Sequence, residues 1–286
     1  MKYAFISANS GGFSVKRMCQ VLNVKRSGYY AWCKRPTSKG EQANWNLLEQ
    51  IRTVYLMSRR TYGSPRIYAF LRHRGIVCGR NRIARLMQLN RIVARRSRRR
   101  FPITTQRRSG SRPAANLLNQ NFTATRPDQK WVTDITYIDT SEGWLYLAAI
   151  LDLYSRRVVG WAMADQIDTS LVEKALHMAL FTRQPSPGLL HHSDQGSQYT
   201  SQEYQSYLEK QKFQVSMSRT GNCYDNAVME SFFSTLKFEC AELKFTTRSQ
   251  ARTTIFEFIE GWYNRNRLHS SLDYHSPVEH ELQFGH

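Results

Sequence analysis

The chain has 286 residues, long enough for one sizeable core and a smaller domain, and its 41% hydrophobic content supports a folded protein. No apolar run approaches the roughly eighteen residues that a bilayer span requires, and the first residues lack a signal-peptide pattern, so a membrane protein is excluded as an expectation. The net charge is +19, and five scattered cysteines without a C-x-x-C pair argue against a zinc site or disulfide framework and for a reduced, cytoplasmic setting.

The charge is unevenly distributed. Residues 1–127 hold 27 lysines and arginines against Glu41 and Glu49 alone, a net +25, whereas residues 128–286 hold 14 against 20, a net −6. Between Glu49 and Asp128 there is no acidic residue. A solvated basic surface rarely excludes acids over such a span, so the first half is expected to bind nucleic acid and the second to do something else.

In chain order, Ser14 can cap a helix over 15–22 and Ser27 a second over 28–32, the form of a small helix-turn-helix across residues 1–36. Taken alone this segment reads equally well as a plain helical hairpin. Residues 37–44 read as a polar connector. A helix follows over 45–57, with Leu47, Leu48, Ile51 and Val54 on its apolar side. Ser64-Pro65 opens another helix, and Gly75 suits its end. The helix over 79–89 sets Arg80, Arg82 and Arg85 opposite Ile83, Leu86 and Met87. The region 45–100 is therefore expected to be a basic helical DNA-binding unit, with Arg66, Arg80, Arg82, Arg85, Arg95, Arg96, Arg98, Arg99 and Arg100 as its candidate DNA contacts. Residues 101–125 combine arginines with Pro, Gly, Ser and Thr and read as a linker able to lie along phosphates. Asn116 to Phe122 is expected to dock that linker onto the next domain.

The domain over 126–286 begins with an alternating, β-branched and aromatic segment, Lys130 to Ile138, interrupted by Asp134. Strands are expected over 144–152 and 158–163, then a helix over 168–181. A short strand ends at Asp194, a helix follows over 201–212, and a fifth strand runs over 214–218. Gly221 to Lys237 reads as a polar loop opening into a helix. Val228, Phe232, Phe233 and Leu236 form its buried side, while Glu230 and Lys237, seven apart, share another face. A last helix is expected over 249–264.

One buried carboxylate is usually a satisfied acceptor. Three that converge raise one another's pKa and cannot all stay ionised without a cation. Asp134, Asp194 and Glu230 are the candidates, with Lys237 as a DNA contact or a balance to the site charge. Asp152 follows an apolar strand but reads as a turn cap, Asp225 as a helix cap, and His191 and His192 as packing or orienting groups, not ligands. Ser193 and Ser231 have no base–acid relay, and no phosphate-binding glycine loop is present.

The order Asp, Asp, then Glu with thirty-five residues between, and Lys seven further on, resembles the DDE transposases and retroviral integrases. The strings "HSDQGSQY", "SMSRTGNCYDNAVMESFFSTLK" and "IEGWYNRNRLHSSLDYHSP" resemble the second-frame, OrfB-type transposases of bacterial insertion sequences over nearly the whole chain. Asp273 stands where that family more often has Gly, which puts the turn there in question. The resemblance, with the order of elements above, implies an α/β fold: a ribonuclease-H-like core of a mixed five-stranded sheet with flanking helices, preceded by a helix-turn-helix region. It implies Asp134, Asp194 and Glu230 as ligands of two Mg²⁺ ions, with Mn²⁺ able to substitute, in DNA nicking at the element's ends and 3′-hydroxyl strand transfer. The implied partners are the terminal inverted repeats and target DNA, other copies in a multimer, and the upstream-frame protein, fused or assisting. The implied location is the bacterial cytoplasm, at the nucleoid. A non-transposing nuclease and a catalytically inactive DNA-binding regulator of transposition are the alternatives.

Overall fold

The computed structural model describes residues 1–35, 38–95, 114–219, 222–240 and 245–285. Three short helices come first: α1 (Lys2–Asn9), α2 (Val15–Val21) and α3 (Arg26–Lys34). They close a small core of Ile6, Met18, Cys19 and Tyr29. The sequence supplied α2 and α3, but α3 starts at Arg26 and not after Ser27, and α1 was not foreseen.

Helix α4 (Lys39–Met57) starts six residues before the expected position. Ser38 and Glu41 form a reciprocal capping box: Ser38 Oγ accepts from the Glu41 N–H at 3.1 Å, and a Glu41 carboxylate oxygen accepts from the Ser38 N–H at 3.0 Å. The polar stretch 38–44 is thus the solvated first two turns of a helix. Helices α5 (Ser64–His73) and α6 (Arg80–Leu89) follow, as the Pro65 and glycine signals predict.

The sheet has the order β3-β2-β1-β4-β5, from β1 (Lys130–Ile138), β2 (Leu145–Asp152), β3 (Val158–Ala164), β4 (Leu190–Ser193) and β5 (Gln214–Met217). The first three strands are antiparallel, and β4 and β5 run parallel to β1. With α7 (Thr169–Arg183), α8 (Gln202–Lys210), α9 (Ala227–Cys240) and α10 (Arg248–Phe256), this is the expected ribonuclease-H-like order. Alternate side chains of β1 serve two cores. Trp131 joins residues of α7 and α8, while Val132 and Ile138 join α9, α10 and, continuously, Leu47, Ile51, Tyr62, Phe70 and Ile83 of the basic helical region. That region therefore packs directly on the catalytic layer.

The expected last helix is instead α10 followed by a π-helical stretch from Glu257 to Tyr263, whose wider turn buries Phe258, Ile259, Trp262 and Tyr263 together. A further helix, α11 (Pro277–Phe284), was not foreseen, although Ser276 and Glu279 form a second capping box. The turn in question does form: Asp273 takes φ +48°, the left-handed conformation that Gly adopts freely and that Asp tolerates better than most residues. Among the described residues, no helix is long and apolar enough to cross a membrane.

Candidate active site

Strand β1 has nine residues and β4 only four, so among the described residues the far half of β1 has no strand neighbour on that side. The parallel pairing runs Lys130↔Leu190, Trp131↔His191 and Val132↔His192. Carried two residues further, the same register sets Asp194, the first residue after β4, beside Asp134. Helix α9 crosses this open end and brings Glu230 in its first turn. It is anchored behind by Met229, Phe232, Phe233 and Leu236, all buried. The Asn226 side chain reaches the Thr133 carbonyl at 3.5 Å.

The charges of the three groups bear on one another at Asp134. The Asp134 carboxyl is pushed well above the ordinary value, first by burial and then by the charges of Asp194 and Glu230; its bond from the Ile135 N–H (2.8 Å) and the Lys237 cation pull the other way. Burial raises Asp194, offset in part by the Gly196 N–H at 2.9 Å. A Cβ on Gly196 would stand 2.9 Å from Asp194 Oδ1, so a larger residue there would push that carboxylate aside. Burial also raises Glu230, which is exposed at its tip. Among the described residues, no arginine or lysine forms an ion pair with any of the three. Lys237 instead places its ammonium over the Tyr137 ring, 5.0 Å from the centroid.

Three carboxylates, two of which raise the third, with no basic side chain paired to them among the described residues, have the donor chemistry for a hard cation. Among the described residues, no three His, Cys, Asp or Glu side chains close around a single point as a cage would. Mg²⁺ does not ask for one: it keeps several waters and takes one or two carboxylates. The donor chemistry of the three carboxylates fits such an ion.

The remaining polar candidates have other work. His192 Nδ1 meets Ser216 Oγ at 2.8 Å and His191 Nε2 meets the Tyr204 hydroxyl at 3.2 Å. Burial pulls both rings down, to about 4 and about 3, so they are neutral orienting groups. Asp152 is fully buried and caps its turn by accepting from Tyr154 N at 2.8 Å, as expected. Asp225 is not the helix cap expected of it; Asn222, accepting from Tyr224 N, has that role. Asp225 accepts from the Asn116 and Gln120 side chains, from Asn222, and from the Arg219 backbone and guanidinium. The Arg219 bonds, above all, hold its carboxyl far below the ordinary range. This hub docks the end of the linker onto the loop that leads to Glu230, and Leu117 N and Leu118 N add bonds to Ser216 Oγ.

The candidate DNA contacts divide. Arg80 and Arg85 are exposed on α6, with no hydrogen-bond or ion-pair partner among the described residues. Arg82 donates to Asn44 at 2.9 Å, and Arg66 lies half-buried over the Tyr62 ring. Arg95 packs over Phe238 and donates to its carbonyl. Arg96, Arg98, Arg99 and Arg100 lie outside the described residues.

Glu239 went unrecognised in the sequence. Buried on α9, it accepts from Trp262 Nε1 and Arg267 Nε, each at 2.9 Å, while Leu268 N donates to the Tyr62 hydroxyl at 2.7 Å. The signal lay in "EGWYNRNRLH", whose Trp, Arg and Leu clamp α9 to the basic helical region.

Comparison with known proteins identifies the family. Residues 124–223 and 211–277 match the integrase core domain family, and residues 42–100 match the HTH-like domain family. The chain is 41% identical over 284 residues to the transposase InsF of insertion sequence IS3A from Escherichia coli, covering 98% of both. It is 45% identical over 262 residues to a 31 kDa protein of insertion element IS600 from Shigella sonnei, covering 91% of this chain and 96% of that one. Among solved structures, the HTLV-2 integrase catalytic core domain in complex with magnesium aligns at 15% identity and TM-score 0.42, covering 56% of this chain and 98% of that one.

Proposed function

Because this chain belongs to the insertion-sequence transposases that join an HTH-like domain to an integrase core, we propose that it nicks DNA at the ends of its element and joins the freed 3′-hydroxyls to target DNA. The observation that carries this reading is the convergence of Asp134, Asp194 and Glu230 at the open end of β1 without a paired basic side chain.

In this reading Asp134 would hold both of two Mg²⁺ ions, while Asp194 and Glu230 each hold one, and Mn²⁺ could replace them. When bound, the ions would polarise the scissile phosphate and stabilise the entering and leaving oxygens. Gly196 N–H and Ile135 N–H fix the two aspartates before substrate arrives. The buried side of α9 fixes Glu230, and Lys237, on the same helix, meets the phosphates beside the cut. Water and a sugar hydroxyl present the same nucleophilic oxygen. In each step one P–O bond forms, one breaks, and the departing 3′-oxygen takes up a proton, so one site serves hydrolysis and joining. No covalent protein–DNA intermediate is required.

The surrounding units take roles to match: residues 1–36 and the basic region 45–100 bind the terminal inverted repeats, residues 101–125 link them to the core, on which Asn116 and Gln120 dock at Asp225, and residues 126–286 perform the chemistry. Exposed Arg80 and Arg85 are the described arginines best placed to meet DNA. Two ends must be brought together, which calls for a multimer at the nucleoid, fused to or assisted by the upstream-frame protein. The test uses labelled duplexes carrying the element's ends, Mg²⁺, and the protein with and without the upstream-frame product. Nicked and joined products support the reading; nicking alone points to a nuclease; binding without chemistry points to a regulator.

A further inference from the structure

Beside the carboxylates, past the last residue pairing β1 to β4, lies a cavity of about 330 Å³. Its walls include Tyr137 and Trp144, its floor Leu236 and Ile255, and its rim Lys237 and Asp139. This volume is at the small end of the range of about 300–1,000 Å³ for ligand pockets. It is room for one flat ring system, not for a helix or a strand. Tyr137 and Trp144 stand edge to face, centroids 5.4 Å apart at 72°. That arrangement uses at most one face of one ring, and Lys237 covers Tyr137. Trp144 is 49% exposed, and its backbone is held by a bond from Arg248 Nε to its carbonyl. A large aromatic ring left half in water at the mouth of a cavity is poised for a stacking partner.

We propose that this cavity receives a single unstacked nucleobase of the element's end, a binding site that rests on the function proposed above. Three features point to a base. The rings offer sequence-tolerant stacking. Lys237 belongs both to the cavity and to the carboxylate site, so its cation can meet the phosphate that joins a splayed nucleotide to the cut. Asp139, an acceptor on the rim, suits the exocyclic amine of adenine, cytosine or guanine. Taking one base out of the stack would draw the strand across the open end of β1 and expose the adjoining phosphate to the carboxylates.

The experiment places 2-aminopurine, one position at a time, in the nucleotides flanking the cut, and follows its fluorescence in the metal-free complex with the full chain. In parallel, nicking of the same duplexes is measured with Mg²⁺. The expected result is one position whose fluorescence departs from its duplex value on binding. Trp144→Ala should return it to the duplex value and slow nicking about ten- to a hundredfold, the worth of one stacked base. Trp144→Phe, which keeps an aromatic face, should retain most of both. Wild-type protein that nicks these ends with no fluorescence change at any position would overturn the cavity's role alone, as would a Trp144→Ala variant with unchanged signal and rate. Wild-type protein that neither binds nor nicks the ends would overturn the proposed function, and the cavity's role with it.

Discussion

Two groups of three carboxylates lie along strand β1, and their surroundings are opposite. At its start, Asp128, Asp152 and Glu281 gather around Arg183, with Arg157 beside Glu281: Arg183 meets Asp128 at 2.9 Å, Glu281 at 2.8 Å and Asp152 at 3.6 Å. At its open end, Asp134, Asp194 and Glu230 meet no such partner among the described residues. Glu281 is accordingly held below the ordinary carboxylate range by Arg183 despite its burial, whereas Asp134 is driven well above it. Asp152 shows how far one arginine goes: fully buried, and at the longest distance, it is still pushed up to about 7. Acidic convergence with arginine is a joint, here tying α7 and α11 to the sheet. Acidic convergence without it raises the affinity of the site for a proton and, in the function proposed above, for a metal cation.

The comparison breaks most visibly under substitution. Asp134→Asn or Glu230→Gln should lower nicking and joining by about 10³-fold, with circular dichroism unchanged; retained turnover in both would remove the metal reading. Arg183→Met should leave Asp128 and Asp152 without a cation and Glu281 with Arg157 alone, and cost about 3–5 kcal/mol of stability, read as a fall in Tm; an unchanged Tm would mean the joint is ornamental.

Titration sharpens the contrast. At the open end the folded carboxylates bind protons more tightly than the unfolded chain does, so their contribution to stability is present at acid pH and is lost as pH rises through the raised values. Glu281 is the reverse: its contribution is present above the unfolded value and is lost as pH falls through the lowered one. In metal-free buffer above the ordinary carboxylate range, Asp134→Asn should therefore flatten the decline of Tm with pH, and Mg²⁺ should flatten it in the wild type. Equal slopes in all three conditions would contradict the repulsion at the site. The smallest effect is expected on α6: Arg80→Ala and Arg85→Ala should each reduce the salt dependence of DNA binding by about 0.9 in log–log slope and leave Tm unmoved.

Much of this was legible in the chain. β1 was bounded to the residue because Lys130 to Ile138 alternates, and Asp134 stood out as a carboxylate within a strand. Docking of Asn116 to Phe122 was also legible, since an apolar pair flanked by amides follows a basic, proline-containing tract. What went unread was short helix and polar helix. The first turns of α4 carry few apolar residues and α11 is only eight residues long, and their capping boxes, Ser38 with Glu41 and Ser276 with Glu279, were the available signal.

Sequence by itself determined the inventory: a basic half and an acidic half, three carboxylates at telling intervals, and a lysine two turns beyond the last. These follow from periodicity and charge, which are local. Tertiary structure alone decided which carboxylates are paired. Arg183 reaches Asp128, Asp152 and Glu281 across 55, 31 and 98 positions of the chain, and Glu239 finds Arg267 in the same way. A side chain's charge is written in its residue type, but its energy depends on what stands within a few ångströms once the chain is folded.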